Sequence, residues 1–145
     1  YAQARVLDEE NLVRRQRILG ADHPDTLISA GNLGAHLMRL GELEAARDLA
    51  QDTLERWRRV HGENHPNALL AAANLAFLAD QLGEHELARS LNEDTLARRR
   101  QVLGVDHPQT LLSAEYLARD LRVLGEEEQA EALEAEVQMR RSRLR

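Results

Sequence analysis

The sequence predicts an all-α chain: antiparallel helix hairpins stacked into a solenoid, seven helices in three and a half copies of one 42-residue unit. Three observations predict it. The stretch LGADHPDTLISAGNLGAHLMRLG (19–41) returns as HGENHPNALLAAANLAFLADQLG (61–83) and again as LGVDHPQTLLSAEYLARDLRVLG (103–125), offset by 42 residues each time. Apolar residues in each copy recur at steps of three and four, the signature of a helix with one buried face. The apolar inventory is mostly Leu and Ala amid Glu and Arg, with only 3% aromatics, a mixture that favours helices over strands.

Residues 1–18 come first. Ala4, Leu7, Leu12 and Ile18 fall on the columns of the second helix of each later unit, so the chain opens as half a repeat (1–20). Val6, Leu7, Leu12 and Val13 then have no preceding hairpin and should form an exposed apolar face. The opening Tyr1, in place of Met, suggests a piece of a longer protein.

The first whole repeat, 21–62, begins at His23-Pro24. Proline fits the first turn of a helix because its angle is preset and its missing N–H would have no helical partner there. Asp22 beside it is a good capping type, as are Asn64 and Asp106 in the later copies. A helix over 24–40 ends at Gly41, and a second over 43–60 carries Ala46, Leu49, Thr53 and Leu54.

The second repeat, 63–104, gives helices over 66–82 and 85–102. Leu69, Ala72, Leu75, Ala76, Leu78, Ala79 and Leu82 make a broad stripe for burial. The third, 105–145, gives helices over 108–124 and 127–143. Ala46, Ala88 and Ala130 are small enough to let helices approach, opposite Leu33, Leu75 and Leu117. The last helix substitutes Gln129 and Gln138 for apolar residues of earlier copies, which reads as a polar end cap.

Composition excludes several functions. A net charge of -6 argues against a phosphate-binding surface and so against nucleic acid. With no Cys there is no disulfide framework or thiolate metal site. All 19 basic residues are Arg, which excludes a Walker-type lysine and a Schiff-base lysine. No apolar run is long enough for a membrane helix. No nucleophile, zinc or P-loop motif is present, so neither an enzyme nor a cofactor is expected.

The pattern L-G/A-x-x-L, then L-G-E, then A-x-x-L resembles a tetratricopeptide repeat, usually 34 residues long. The 42-residue length and the G-x-D/N-H-P turn resemble the repeats of kinesin light chains and their bacterial relatives. The likeness covers the whole chain, although it lacks the aromatics near Ala30 and Leu37 and has no Pro closing the second helix. It implies a right-handed α-solenoid that binds a protein or peptide in a concave groove lined by the first helices, in a bacterial, cytoplasmic protein. All-Arg usage also suits a GC-rich genome.

Carried over by position, the groove would present Asn32, Arg39, Asn74, Phe77, Gln81, Tyr116, Arg119 and Arg122. Asn32 and Asn74 match an asparagine that grips a peptide backbone in related repeats, and a carboxamide can donate and accept at once. They could equally bond the neighbouring hairpin. Phe77 and Tyr116 would anchor a partner's side chain or simply pack between helices. Arg119 and Arg122 suit an acidic peptide or a terminal carboxylate, or form a solvated face.

Two other patterns read as structural. His23, His65 and His107 recur once per repeat, but adjacent helices stand about 8–10 Å apart, too far for one shared metal ion. They read as turn residues, with no metal expected. The acid-first pairs Glu10/Arg14, Asp52/Arg56, Asp94/Arg98 and Glu136/Arg140 read as helix support on a solvated convex face. The rival function is self-association through the apolar face of residues 1–18, with the array as scaffold arm of a larger regulatory protein.

Overall fold

A computed structural model describes residues 2–145; of the opening half-repeat, Tyr1 lies outside them. Among these residues there are seven helices and no strand: α1 (Ala2–Leu19), α2 (Pro24–Arg39), α3 (Leu43–His61), α4 (Pro66–Gln81), α5 (His85–Leu103), α6 (Pro108–Val123) and α7 (Glu127–Arg143). The expected boundaries stand within a residue or so of these. Each helix packs chiefly on the one before and the one after, which makes an α-solenoid rather than a bundle.

The turns follow a fixed chemistry. The imidazole Nδ1 of His23, His65 and His107 accepts the backbone N–H of Asp25, Asn67 and Gln109, at 3.2, 3.1 and 3.1 Å. The histidine is thus itself the cap, and the neighbouring Asp22, Asn64 and Asp106 do other work. At the far end of α4, Gly83 sits at φ +79° while Glu84 N–H bonds Ala79 C=O at 2.8 Å, closing a Schellman turn. Gly62 after α3 has φ +88° and ψ 158°, a region essentially closed to any side chain.

The core is a chain of similar clusters. Leu33 packs with Ala46, Leu75 with Ala88, and Leu117 with Ala130; all three alanines are fully buried. One side chain per hairpin no larger than a methyl group is what allows helices to come this close. Leu12 is a correction to the sequence reading: it is buried against Ala30 and Leu33, because α2 covers that side of α1. Val6, Leu7, Val13 and Ile18 do remain exposed, at 52, 65, 53 and 71%.

The charges lace the stack together. Arg5 meets Glu42, Arg47 meets Glu84 at 2.8 Å, and Arg89 meets Glu126 at 2.8 Å, each spanning 37 residues. Arg56, Arg98 and Arg140 hold their own-helix partners Asp52, Asp94 and Glu136 as expected. They also reach back 34 residues to Asp22, Asn64 and Asp106. A face read as merely solvated therefore bridges consecutive hairpins.

Candidate peptide-binding groove

The first helices α2, α4 and α6 present one side to solvent. Ile28, Leu70 and Leu112, one per repeat, stay 47, 52 and 38% exposed on it. A helix that buries its stripe against two neighbours has a third face left over, and here that face is apolar at equivalent positions. Beside this row run the columns Asn32/Asn74/Tyr116 and Ala35/Phe77/Arg119.

Two hollows open there. One, of about 140 Å³, is lined by Gly31, Gly34, Ala35 and Met38 of α2 and by Asn74 and Phe77 of α4. The glycines keep it open, since a larger side chain would fill it. The other, of about 220 Å³, lies between α4 and α6 over α5. Leu70, Asn74 and Phe77 form one wall, and Leu112, Tyr116 and Arg119 the other. Phe77, 40% exposed, stands between the two hollows and borders both. The Arg119 guanidinium lies over the Tyr116 ring, 5.3 Å from its centre.

Of the eight residues singled out from the sequence, Asn74, Phe77, Tyr116 and Arg119 come together around the larger hollow. Asn32, Arg39 and Gln81 are exposed on α2 and α4 but line neither hollow. Arg122 is drawn off: its guanidinium bonds Glu134 and Glu127 of α7, and both partners hold its pKa above the ordinary value.

The floor of the larger hollow comes from α5, which sequence reasoning assigned to the opposite side. Arg99 is only 5% exposed there, donating from Nη1 to Ser113 Oγ at 2.8 Å and to Gln109 C=O at 3.3 Å. Its Nε is buried with no partner, and burial pushes its pKa down. A desolvated cation without a carboxylate is costly, so this is an unusual lining. A signal existed: the same column holds Trp57, buried at 3%, which marks it as inward-facing. Asn92 and Asp80 complete the floor.

Trp57 itself stacks on His65 with ring centres 5.2 Å apart, and His61 joins them at about 5 Å from each. The three repeating histidines each serve their own helix start, and no cluster of three or more metal-ligating side chains occurs among the described residues. No helix among them is long and apolar enough to cross a membrane.

Residues 28–101 and 70–138 match one tetratricopeptide repeat profile, and residues 1–25 match a second. No curated protein matches the chain by sequence. Among solved structures, the chain is similar to BtubC (BKLC) from P. vanneervenii, with a TM-score of 0.87 at 18% identity, over 97% of this chain and 56% of that one. It is also similar to a putative kinesin light chain of Podosopora anserina built from nearly identical repeats, with a TM-score of 0.62 at 18% identity over 99% of this chain and 88% of that one. A point-substituted form of the latter gives 0.63 at 19% identity, over 99% and 87%. The chain spans little more than half the length of the first of these.

Proposed function

The chain belongs to the tetratricopeptide repeat family, and from that premise we propose that residues 1–145 act as one protein-binding unit that holds a partner segment along α2, α4 and α6. Repeats of this family mediate protein–protein interaction and carry no chemistry of their own. The unit divides as a half-repeat, 1–20, followed by repeats 21–62, 63–104 and 105–145.

The observation that carries the groove reading is the row Ile28, Leu70 and Leu112, exposed beside a hollow walled by Asn74, Phe77 and Tyr116. Apolar side chains arranged once per repeat suit an extended or short helical peptide, and the aromatics offer anchors. Arg119 and the half-satisfied Arg99 give the hollow positive character, which favours an acidic residue or a terminal carboxylate. The resemblance to kinesin light chains and their bacterial relatives supports a bacterial, cytoplasmic setting.

Selection from a random peptide library tests this. Peptides recovered by the native chain should lose binding to the Asn74→Ala/Phe77→Ala double variant while its circular dichroism stays the same. Equal binding by both would refute the groove assignment.

A second reading rests on α1. Val6, Leu7, Val13 and Ile18 are exposed on α1, and Val13 and Ile18 border an open hollow together with the charged Glu9, Glu10, Arg14 and Arg17. Self-association through α1 would serve a scaffold arm. A sedimentation profile that stays monomeric at high concentration removes it.

A further inference from the structure

One position in the stack is solved differently in each repeat. His36, Leu78 and Asp120 are equivalent residues of α2, α4 and α6, facing Asp8, Ala50 and Asn92 of the preceding helix. The first pair is an imidazole bonded to a carboxylate, and the second is apolar. The third is a carboxyl group with no exposure at all. Asp120 Oδ2 accepts from Asn92 Nδ2 at 2.6 Å, while Oδ1 is buried and receives no donor. Asp80, a second carboxyl group, stands with Asn92 in the floor of the larger hollow, beside Asp120, whose carboxyl it pushes up. Two carboxylates are both acceptors, so a bond between them requires a proton.

We propose that Asp80 and Asp120 share one proton, and that this proton fastens α6 onto the second hairpin and so fixes the wall of the larger hollow. Without the proton, two like charges meet in a buried junction, one of them fully desolvated. The surroundings do not offset this. From α4 only Asp80 faces the site, and its Oδ1 is engaged by His85 Nδ1 of α5 at 2.9 Å. From α5, Asn92 is neutral, and Arg99 turns its Nη1 to Ser113 and Gln109 and makes no bond to either carboxylate. On α6, Arg119 favours the ionised form, but its guanidinium lies out over Tyr116. On α7, Glu127 and Glu134 are held by Arg122.

Burial first, and then Asp80, push the Asp120 carboxyl from 3.8 up to about 7. The sign follows from linkage. Because the folded value lies above the unfolded one, the stabilisation is fully present below the unfolded value and is lost as pH rises through about 7. Asp80 and Asn92 belong to the floor of the hollow whose far wall is α6, so the spacing between Phe77 and Tyr116 becomes proton-dependent. The inference concerns the free chain and holds whatever the groove binds.

Asp120→Asn is the decisive variant. Its amide can donate to Asp80 and accept from Asn92, so it imitates the protonated acid at every pH. Thermal unfolding and amide exchange of the 145-residue chain are followed from about pH 6 to about pH 8, either side of an ordinary neutral range. In the native chain the melting temperature should fall across that interval, and protection of α6 amides should drop by roughly tenfold or more. In Asp120→Asn both changes should be markedly smaller, what is left belonging to the histidine–carboxylate pairs His36–Asp8 and His85–Asp80, with a melting temperature above native at the alkaline end. Level behaviour of the native chain, or an unchanged slope in the variant, would overturn the proposal. Should the variant not fold, carboxyl carbon NMR of the native chain and of Asp80→Asn decides. Asp120 titrating near neutrality in the former and lower in the latter supports the shared proton; an ordinary carboxylate titration in the native chain overturns it.

Discussion

Arg47 of α3 and Glu84, the residue that opens α5, meet at 2.8 Å across 37 positions of sequence. The same contact joins Arg5 to Glu42 and Arg89 to Glu126, so one ionic clasp recurs at every step of the solenoid. Burial and Glu84 act oppositely on Arg47, and the bond to Glu84 dominates, raising its pKa. The clasp fixes the register of one hairpin on the next.

Reversing one partner should therefore weaken the stack, and reversing both should restore it. Arg47→Glu is expected to lower the melting temperature by setting two carboxylates together, and Arg47→Glu/Glu84→Arg to recover most of the loss. The difference should shrink in high salt, because exposed charges are screened within about 10 Å at 0.1 M. Thermal scans at two salt concentrations would check this; a loss independent of salt would point to packing instead.

His65 accepts the Asn67 N–H at the start of α4 and also stacks on Trp57. His107 makes the same cap to Gln109 at the start of α6. Removing a capping acceptor costs about 0.5–2 kcal/mol. His107→Ala should fall in that range, and His65→Ala should cost more because a ring contact goes with it. Replacement by Asn should recover part of each. Urea denaturation midpoints provide the measurement.

Leu75 is 3% exposed and lies in the same cluster as Ala72, Ala79 and Ala88. Among so many alanines little can move in to fill a hole. Leu75→Ala is expected to destabilise by about 2–5 kcal/mol. Chemical unfolding should show it as a lower midpoint, and amide exchange should show it most strongly in α4 and α5.

The helices, their ends and their pairing were all written in local pattern. Pro24, Gly41 and the stripe around Leu33 act over a few residues, and local rules read them directly. The work of the charges was not local. Asp22 looks like a cap, yet Arg56 and Arg59 claim it from 34 and 37 positions away, and together they hold its pKa down. No period-four rule contains that distance; it exists only once one hairpin lies on another. The cap itself, His23, escapes local capping rules because imidazole is a rarer acceptor than a carboxylate. Arg99 lies in the run Arg98-Arg99-Arg100, at a helix C-terminus where arginines complement the dipole from the surface. Its neighbours do point outward to Glu63 and Glu136, while a turn of 100° per residue carries Arg99 inward to Ser113. Asn74 and Phe77 were identified from family position, and the hollow they share with α5 is a product of stacking.

Since each helix leans chiefly on its two neighbours in sequence, the described residues hold no central knot of contacts to resist bending. It should behave as a short coil spring, with small rotations at successive hairpins adding along its length. A bound strand touching α2, α4 and α6 at once would then act as a brace, setting the pitch of the coil and passing a change at one end to the other as a change of curvature.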